Sequence, residues 1–290
     1  MPVFDPPAYR VVSTFDQRVS GLLFEAKSND PGSPLVLCVH GIGSNSHYFN
    51  LQSNSLAKAA AERGMAALLI DRPGYGGSLC PSIGSAIDSG VEAIKSLLQA
   101  IRAQSLELSR RPLVLIGHSF GGAIALSYAS EQPLGSLAAI CVSGIGDLPT
   151  APYLEERQRQ ISAGMNQLSP HWFFGPGNTF DRHGVTALRP ATEPNRVNEA
   201  YEVAYEWPKR WDLITAEISC PIHFRLAEFE RIWAASPSDL KRMAAAFAQA
   251  AYVDAAILPA GGHLYEAHIR GHELVAAQLD FANKACRDMT

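Results

Sequence analysis

The sequence points to an α/β fold: a mostly parallel, doubly wound sheet with helices on both faces and a helical insertion late in the chain. Three features carry this expectation. Short apolar runs without polar alternation recur along the 290 residues, as expected of strands buried on both faces of a parallel sheet. Stretches with helical spacing lie between them, and strands alternating with helices imply right-handed crossovers. One proline-rich stretch, residues 148–211, holds no strand-like run.

Taken in order, residues 9–15 and 18–26 alternate and read as paired, partly solvated strands. The run L-V-L-C-V at 35–39, bounded by Pro34 and Gly41, reads as the first fully buried strand. Further runs at 66–70, 113–116, 137–142, 222–226 and 255–258 continue the sheet. Within 85–105, Ile87, Val91, Ile94, Leu98 and Ile101 recur at spacings of three or four, one face of a helix. Residues 121–131 are alanine-rich and apolar all round, which suits a buried helix. Leu240, Met243, Phe247 and Ala250 form a further stripe, and 271–285 reads as a final helix. The insertion carries Pro149, Pro152, Pro170, Pro176, Pro190, Pro194 and Pro208, with irregular helical pieces. A stretch this long without sheet partners reads as an inserted subdomain rather than a loop. The expected division is therefore a core of 1–147 and 212–290 and a helical cap or lid of 148–211.

Composition narrows the function. The formal net charge is −4 and hydrophobic residues make up 47%, ordinary for a globular protein. No block of like charge supports nucleic-acid or membrane-surface binding. The apolar runs fall far short of the roughly 20 residues that span a bilayer. The start, M-P-V-F-D-P-P-A-Y-R, lacks the basic-then-apolar pattern of a signal peptide. The five cysteines, Cys38, Cys80, Cys141, Cys220 and Cys286, are odd in number and widely spaced, without a C-x-x-C. That argues against a disulfide framework or a zinc site. A cytoplasmic location is the expectation, with no metal or organic cofactor implied.

Chemistry concentrates at I-G-H-S-F-G-G, residues 116–122. A G-x-S-x-G sequence that follows a strand and opens a helix turns so sharply that its serine takes unfavourable backbone angles. Flanking glycines relieve the crowding. Ser119 is thereby held at the carboxyl edge of the sheet, where open α/β sheets place ligands. The helix N-terminus beside it favours negative charge. The ordinary alternative is a plain glycine-serine turn.

With these residues the sequence resembles the α/β-hydrolase family. Five motifs carry the resemblance: H-G-I-G-S at 40–44, D-R-P-G-Y-G-G-S at 71–78, G-H-S-F-G at 117–121, E-F-E-R-I at 228–232 and G-G-H at 261–263. It covers residues 19–285 outside the insertion, and implies the α/β-hydrolase fold with a serine nucleophile, Ser119. A serine needs a base, and nine histidines are present. His263 follows a strand-like run and two glycines, the position the family gives its histidine. His40 and His118 sit inside family motifs at strand ends and read as backbone hydrogen-bonding groups. His268 and His272 read as solvated positions near the last helix. No motif supports His47, His171, His183 or His223.

The base needs an orienting acid, which in family order lies between serine and histidine. Glu230 falls on that position, although Ala227 replaces the usual glycine and glutamate replaces the commoner aspartate. Glu228 and Asp147 are rivals. The resemblance assigns the oxyanion hole to the backbone amides of Ile42 and Phe120. The turn at 71–78 reads as structural, because the lysine and hydroxyl of a phosphate loop are absent. In the insertion, Tyr153, Trp172, Phe173, Phe174, Phe180, Tyr201, Tyr205, Trp207 and Trp211 either line an apolar pocket over Ser119 or build the insertion's own core.

The expected function is hydrolysis of a small-molecule carboxylic ester or thioester through an acyl-enzyme. Acyl transfer, carbon–carbon bond hydrolysis on the same residues, and ligand binding without turnover are the competing readings. Dehalogenation and epoxide opening are disfavoured, because those family branches use aspartate where this chain has Ser119.

Overall fold

The computed structural model describes residues 9–27, 30, 32–80, 84–165 and 168–289. Strands β1 (Tyr9–Ser13) and β2 (Ser20–Phe24) pair antiparallel. Of the two, only β1 is partly solvated. β2 is buried throughout, because its outer edge is covered by β1 and its inner edge joins the rest of the sheet. The remaining strands are β3 (Leu35–Val39), β4 (Ala66–Ile70), β5 (Leu113–His118), β6 (Ala139–Ser143), β7 (Ile222–Ala227) and β8 (Val253–Leu258). They form one eight-stranded sheet in the order β1-β2-β4-β3-β5-β6-β7-β8. β2 meets β4 antiparallel, and every pairing from β4 to β8 is parallel. β5 outlasts its apolar run, since Gly117 and His118 continue the pairing with Val142 and Ser143.

Alternation along the strands divides the core between the two faces of the sheet. Leu35, Leu37 and Val39 join one apolar cluster, while Val36 and Cys38 join the other. The first face is covered by α2 (Ala86–Gln104), α3 (Leu106–Arg110), α4 (Phe120–Ser130) and α9 (Pro237–Ala245). The second is covered by α1 (Leu56–Glu62) and the C-terminal helix α10 (Gly271–Asp288). α2 begins where Ser85 accepts a hydrogen bond from the Asp88 amide, the local signal that ends the preceding loop. α4 is buried on every side, as its composition requires.

Between β6 and β7 lie α5 (Ala151–Ser162), α6 (Arg182–Ala187), α7 (Val197–Tyr201) and α8 (Trp207–Thr215), with a π turn at Glu202–Glu206. Among the described residues of 148–211 there is no sheet strand, only the isolated bridges Ser44↔Thr192 and Pro149↔Trp233. The boundary expected at 211 falls inside α8. The reason is packing: the Trp211 ring stands 6.0 Å from Phe224 on β7 and 5.8 Å from Phe247. Such aromatic pairs add about 0.5–1.5 kcal/mol beyond area burial, and they tie α8 to the sheet. The stripe from Leu240 to Ala250 is helical only as far as α9 (Pro237–Ala245), after which Phe247 stays buried in a turn. No helix among the described residues is long and apolar enough to cross a membrane.

Candidate active site

The turn from β5 into α4 explains its own sequence. Ser119 has φ +53° and ψ −125°, a region that costs a residue with a β-carbon about 1–3 kcal/mol. Three features hold it there. The Ser119 amide donates to Ser143 O at 2.8 Å, fixing the turn to β6. A β-carbon on Gly117 would stand 2.6 Å from Gly121 O, and one on Gly121 would stand 2.0 Å from Val39 O. Both positions therefore exclude any side chain. Gly121→Ala is expected to cost about 3 kcal/mol or more, read as a lowered urea midpoint, because rigid β3 backbone blocks the new atom. Gly122→Ala meets the Ile145 side chain at 2.9 Å and backbone only at 3.5 Å, at Gly117 O, and should cost clearly less in the same measurement.

Three expected site residues come together. Glu230 Oε1 accepts from the amides of Ile232 at 2.9 Å and Arg231 at 3.1 Å. Its other oxygen, Oε2, lies 2.9 Å from His263 Nδ1, and His263 Nε2 lies 3.0 Å from Ser119 Oγ. An ionised carboxylate only accepts. Nδ1 therefore carries the proton and donates to Glu230, and Nε2 is left to accept from the serine hydroxyl. Burial alone would raise the Glu230 carboxyl. The charge and hydrogen bond of His263, with the Ile232 amide, outweigh it and hold that carboxyl below its ordinary value. Both side chains of the pair are almost wholly buried, at 2% and 0% exposure.

The rival acids are engaged elsewhere. Glu228 is exposed and accepts from the Ala260 amide at 2.7 Å, and Asp147 is paired with Arg242. His40 bonds backbone as expected: it accepts from the Arg72 amide at 3.1 Å and donates to Gly41 O at 2.9 Å. His118 does not. Its Nδ1 donates to the Ser143 hydroxyl at 3.1 Å, which in turn donates to Glu266. Tyr48 completes this buried cluster, donating to Glu266 at 2.6 Å and stacking on the His118 ring.

His268 corrects a second expectation. It is buried, not solvated. Its Nε2 accepts from the amides of Gly262 at 3.0 Å and Gly175 at 3.1 Å, and its Nδ1 donates to Leu264 O at 2.8 Å. It thus braces the residues on both sides of His263, and burial lowers its pKa, which keeps it the neutral acceptor this requires. His272 is exposed as expected.

The Phe120 amide is the first of α4 and so has no intrahelical acceptor. Ile42 lines the cavity over Ser119, and a β-carbon on Gly41 would stand 3.1 Å from Ser119 Cβ. The 40–44 loop is therefore close against the serine. It is held by a buried cluster that sequence reading missed. Arg72 donates to Gly41 O at 3.0 Å and pairs with Glu199 of α7 at 2.8 Å. Tyr75 donates to Glu199 at 2.6 Å and accepts from the Gly43 amide at 3.4 Å. The neighbouring Asp71 fits the structural reading of its turn, accepting from Ser46 N, Ser20 Oγ and Gly77 N.

The cavity over Ser119 measures about 40 Å³, and its walls include Ile42, Tyr153, Arg157, Phe173, Ile232 and Trp233. Of the insertion's aromatic residues named above, only Tyr153 and Phe173 reach it. Trp172, Trp207 and Trp211 are buried in the packing, and Tyr201 is exposed. Among the described residues no group of three or more His, Cys, Asp or Glu is arranged to hold a metal ion.

Comparison with known proteins bears on the family and the fold. The family model described as "Alpha/beta hydrolase family" matches residues 36–278. A 1-acylglycerol-3-phosphate O-acyltransferase of Arabidopsis thaliana is 31% identical over 127 residues, 43% of this chain and 28% of that protein. A 2-succinyl-6-hydroxy-2,4-cyclohexadiene-1-carboxylate synthase of Escherichia coli is 28% identical over 135 residues, 47% of this chain and 48% of that one. The chain thus spans less than half the length of either curated relative. A solved monoglyceride lipase of Saccharomyces cerevisiae superposes with a TM-score of 0.71 at 13% identity, over 99% of this chain and 97% of that one. At that identity the likeness is one of fold.

Proposed function

The chain belongs to the alpha/beta hydrolase family, and from that premise we propose that it is a serine hydrolase cleaving a carboxylic ester or thioester through an acyl-enzyme. One observation carries the reading: the chain of hydrogen bonds from Ser119 Oγ through His263 to Glu230, at 3.0 Å and 2.9 Å. Ser119 Oγ attacks the substrate carbonyl carbon while His263 Nε2 takes its proton. Glu230 keeps that proton-accepting tautomer in place and stabilises the imidazolium. The amides of Ile42 and Phe120 hold the oxyanion, each such donor supplying about 3–4 kcal/mol of transition-state stabilisation. His263 then passes its proton to the departing alcohol or thiol, and water resolves the acyl-enzyme by the same steps. Residues 148–211 form the cap that roofs the site, with Tyr153 and Phe173 as apolar wall.

A serine-directed fluorophosphonate tests the reading. Stoichiometric labelling of the Ser119 peptide, together with turnover in a panel of simple esters and thioesters, is expected. No label and no turnover would leave a binding protein on the same fold. Acyl transfer is the second reading, favoured by what the Arabidopsis relative is named for. Product analysis with competing alcohols and amines separates it from hydrolysis.

A further inference from the structure

We infer that Arg157 is the substrate-recognition residue of this site, and that the ester or thioester it serves carries a carboxylate that pairs with the Arg157 guanidinium. The inference rests on the hydrolase reading and adds the substrate's chemical class. Arg157 stands on α5, is 4% exposed and lines the same cavity as Ser119. Its Nε donates to the Tyr153 hydroxyl at 3.1 Å and its Nη1 to Gln160 Oε1 at 3.3 Å. Both partners are neutral. Among the described residues no Asp or Glu lies within ion-pair distance of it. The Glu156 carboxylate is bound to Arg159 at 2.7 Å and reaches this region only through a bond from Gln160. Glu230 is committed to His263.

A guanidinium stays charged at any working pH and offers five N–H donors. Two have acceptors here, which leaves one N–H on Nη1 and both on Nη2 for a ligand. An unpaired buried charge is costly to the free protein, and an arriving anion removes that cost. Every other buried arginine of comparable depth has its charge met: Arg72 by Glu199 and Arg111 by Glu107. A planar carboxylate matches the fork in a two-pronged fashion. One cation in a cavity of about 40 Å³ balances a monoanion, whereas a phosphate dianion would bring a second, uncompensated charge.

Two matched pairs test this. Phenyl hydrogen succinate against phenyl succinamate places the charge on the acyl side. Acetoxyacetate against acetoxyacetamide places it on the leaving side. The wild-type protein is expected to favour the charged member of one pair by about tenfold to a hundredfold in kcat/KM, the range of a hydrogen bond to a charged group. Arg157→Gln should bring that ratio near one, chiefly by raising KM for the charged ester, and Arg157→Lys should give an intermediate ratio. The urea midpoint of Arg157→Gln should not fall, since an uncompensated charge is removed. No preference in either pair, or equal loss on both members in Arg157→Gln, would overturn the inference. Turnover of the neutral esters and labelling of Ser119 report the hydrolase reading separately. If neither occurs, calorimetric titration with succinate and succinamide asks the same question without chemistry, and equal affinity for the two overturns it.

Discussion

Ser119→Ala is expected to fold to the same structure and to lose on the order of 10⁵- to 10⁶-fold in kcat, since on the proposed mechanism removing a nucleophile that works as one unit with its base leaves only binding and oxyanion stabilisation. Steady-state rates on any ester found in the panel measure it, and near-full activity would end the proposed mechanism. A companion variant makes the strain at this position visible. Alanine keeps a β-carbon, so at φ +53° it keeps the serine's backbone penalty. Ser119→Gly removes both the hydroxyl and the penalty. The glycine variant should therefore be as inactive as the alanine variant, yet more stable than it by about 1 kcal/mol or more. A urea midpoint no higher for glycine than for alanine would mean that the turn is unstrained.

Ser119, His263 and Glu230 were legible in the sequence because each is announced by its own backbone. Gly117 and Gly121 mark the turn that presents the serine, Gly261-Gly262 precede the histidine, and the end of β7 delivers the glutamate. The alternation of apolar runs and helical stripes gave the sheet for the same reason: burial on two faces writes itself into consecutive residues. What stayed hidden is set by partners remote in the chain. His268 looks like a surface histidine until Gly175, 93 positions away, places its amide on Nε2. Arg72 and Glu199 find each other across 127 positions. Arg157 lies in the stretch Y-L-E-E-R-Q-R-Q, one of the insertion's irregular helical pieces, where nothing local sets it apart from Arg159. Its isolation from acids exists only in three dimensions. The helical stripe through Phe247 misled for a related reason, since a buried aromatic satisfies the pattern whether the backbone under it is helix or turn.

Glu230→Gln is the sharper test of the histidine's environment, because it keeps the shape and removes one charge. In the wild type Oε1 is occupied by the Ile232 and Arg231 amides. The glutamine of the variant must keep its carbonyl oxygen there, since an amide nitrogen cannot accept those two donors. Its NH₂ group then faces His263 Nδ1, which has to accept rather than donate. The imidazole is driven into the tautomer with the proton on Nε2, and Nε2 can no longer take the proton of Ser119. The expected loss in kcat is about 10⁴-fold, with KM little changed because the glutamate touches no substrate. Glu228→Gln and Asp147→Asn, whose carboxylates bond Ala260 N and Arg242, should each stay within about threefold of wild type, since neither side chain lines the cavity over Ser119. A reversed ranking of the three variants would move the orienting acid to another loop. An unchanged Glu230→Gln rate would show that the imidazole needs no carboxylate to hold its tautomer.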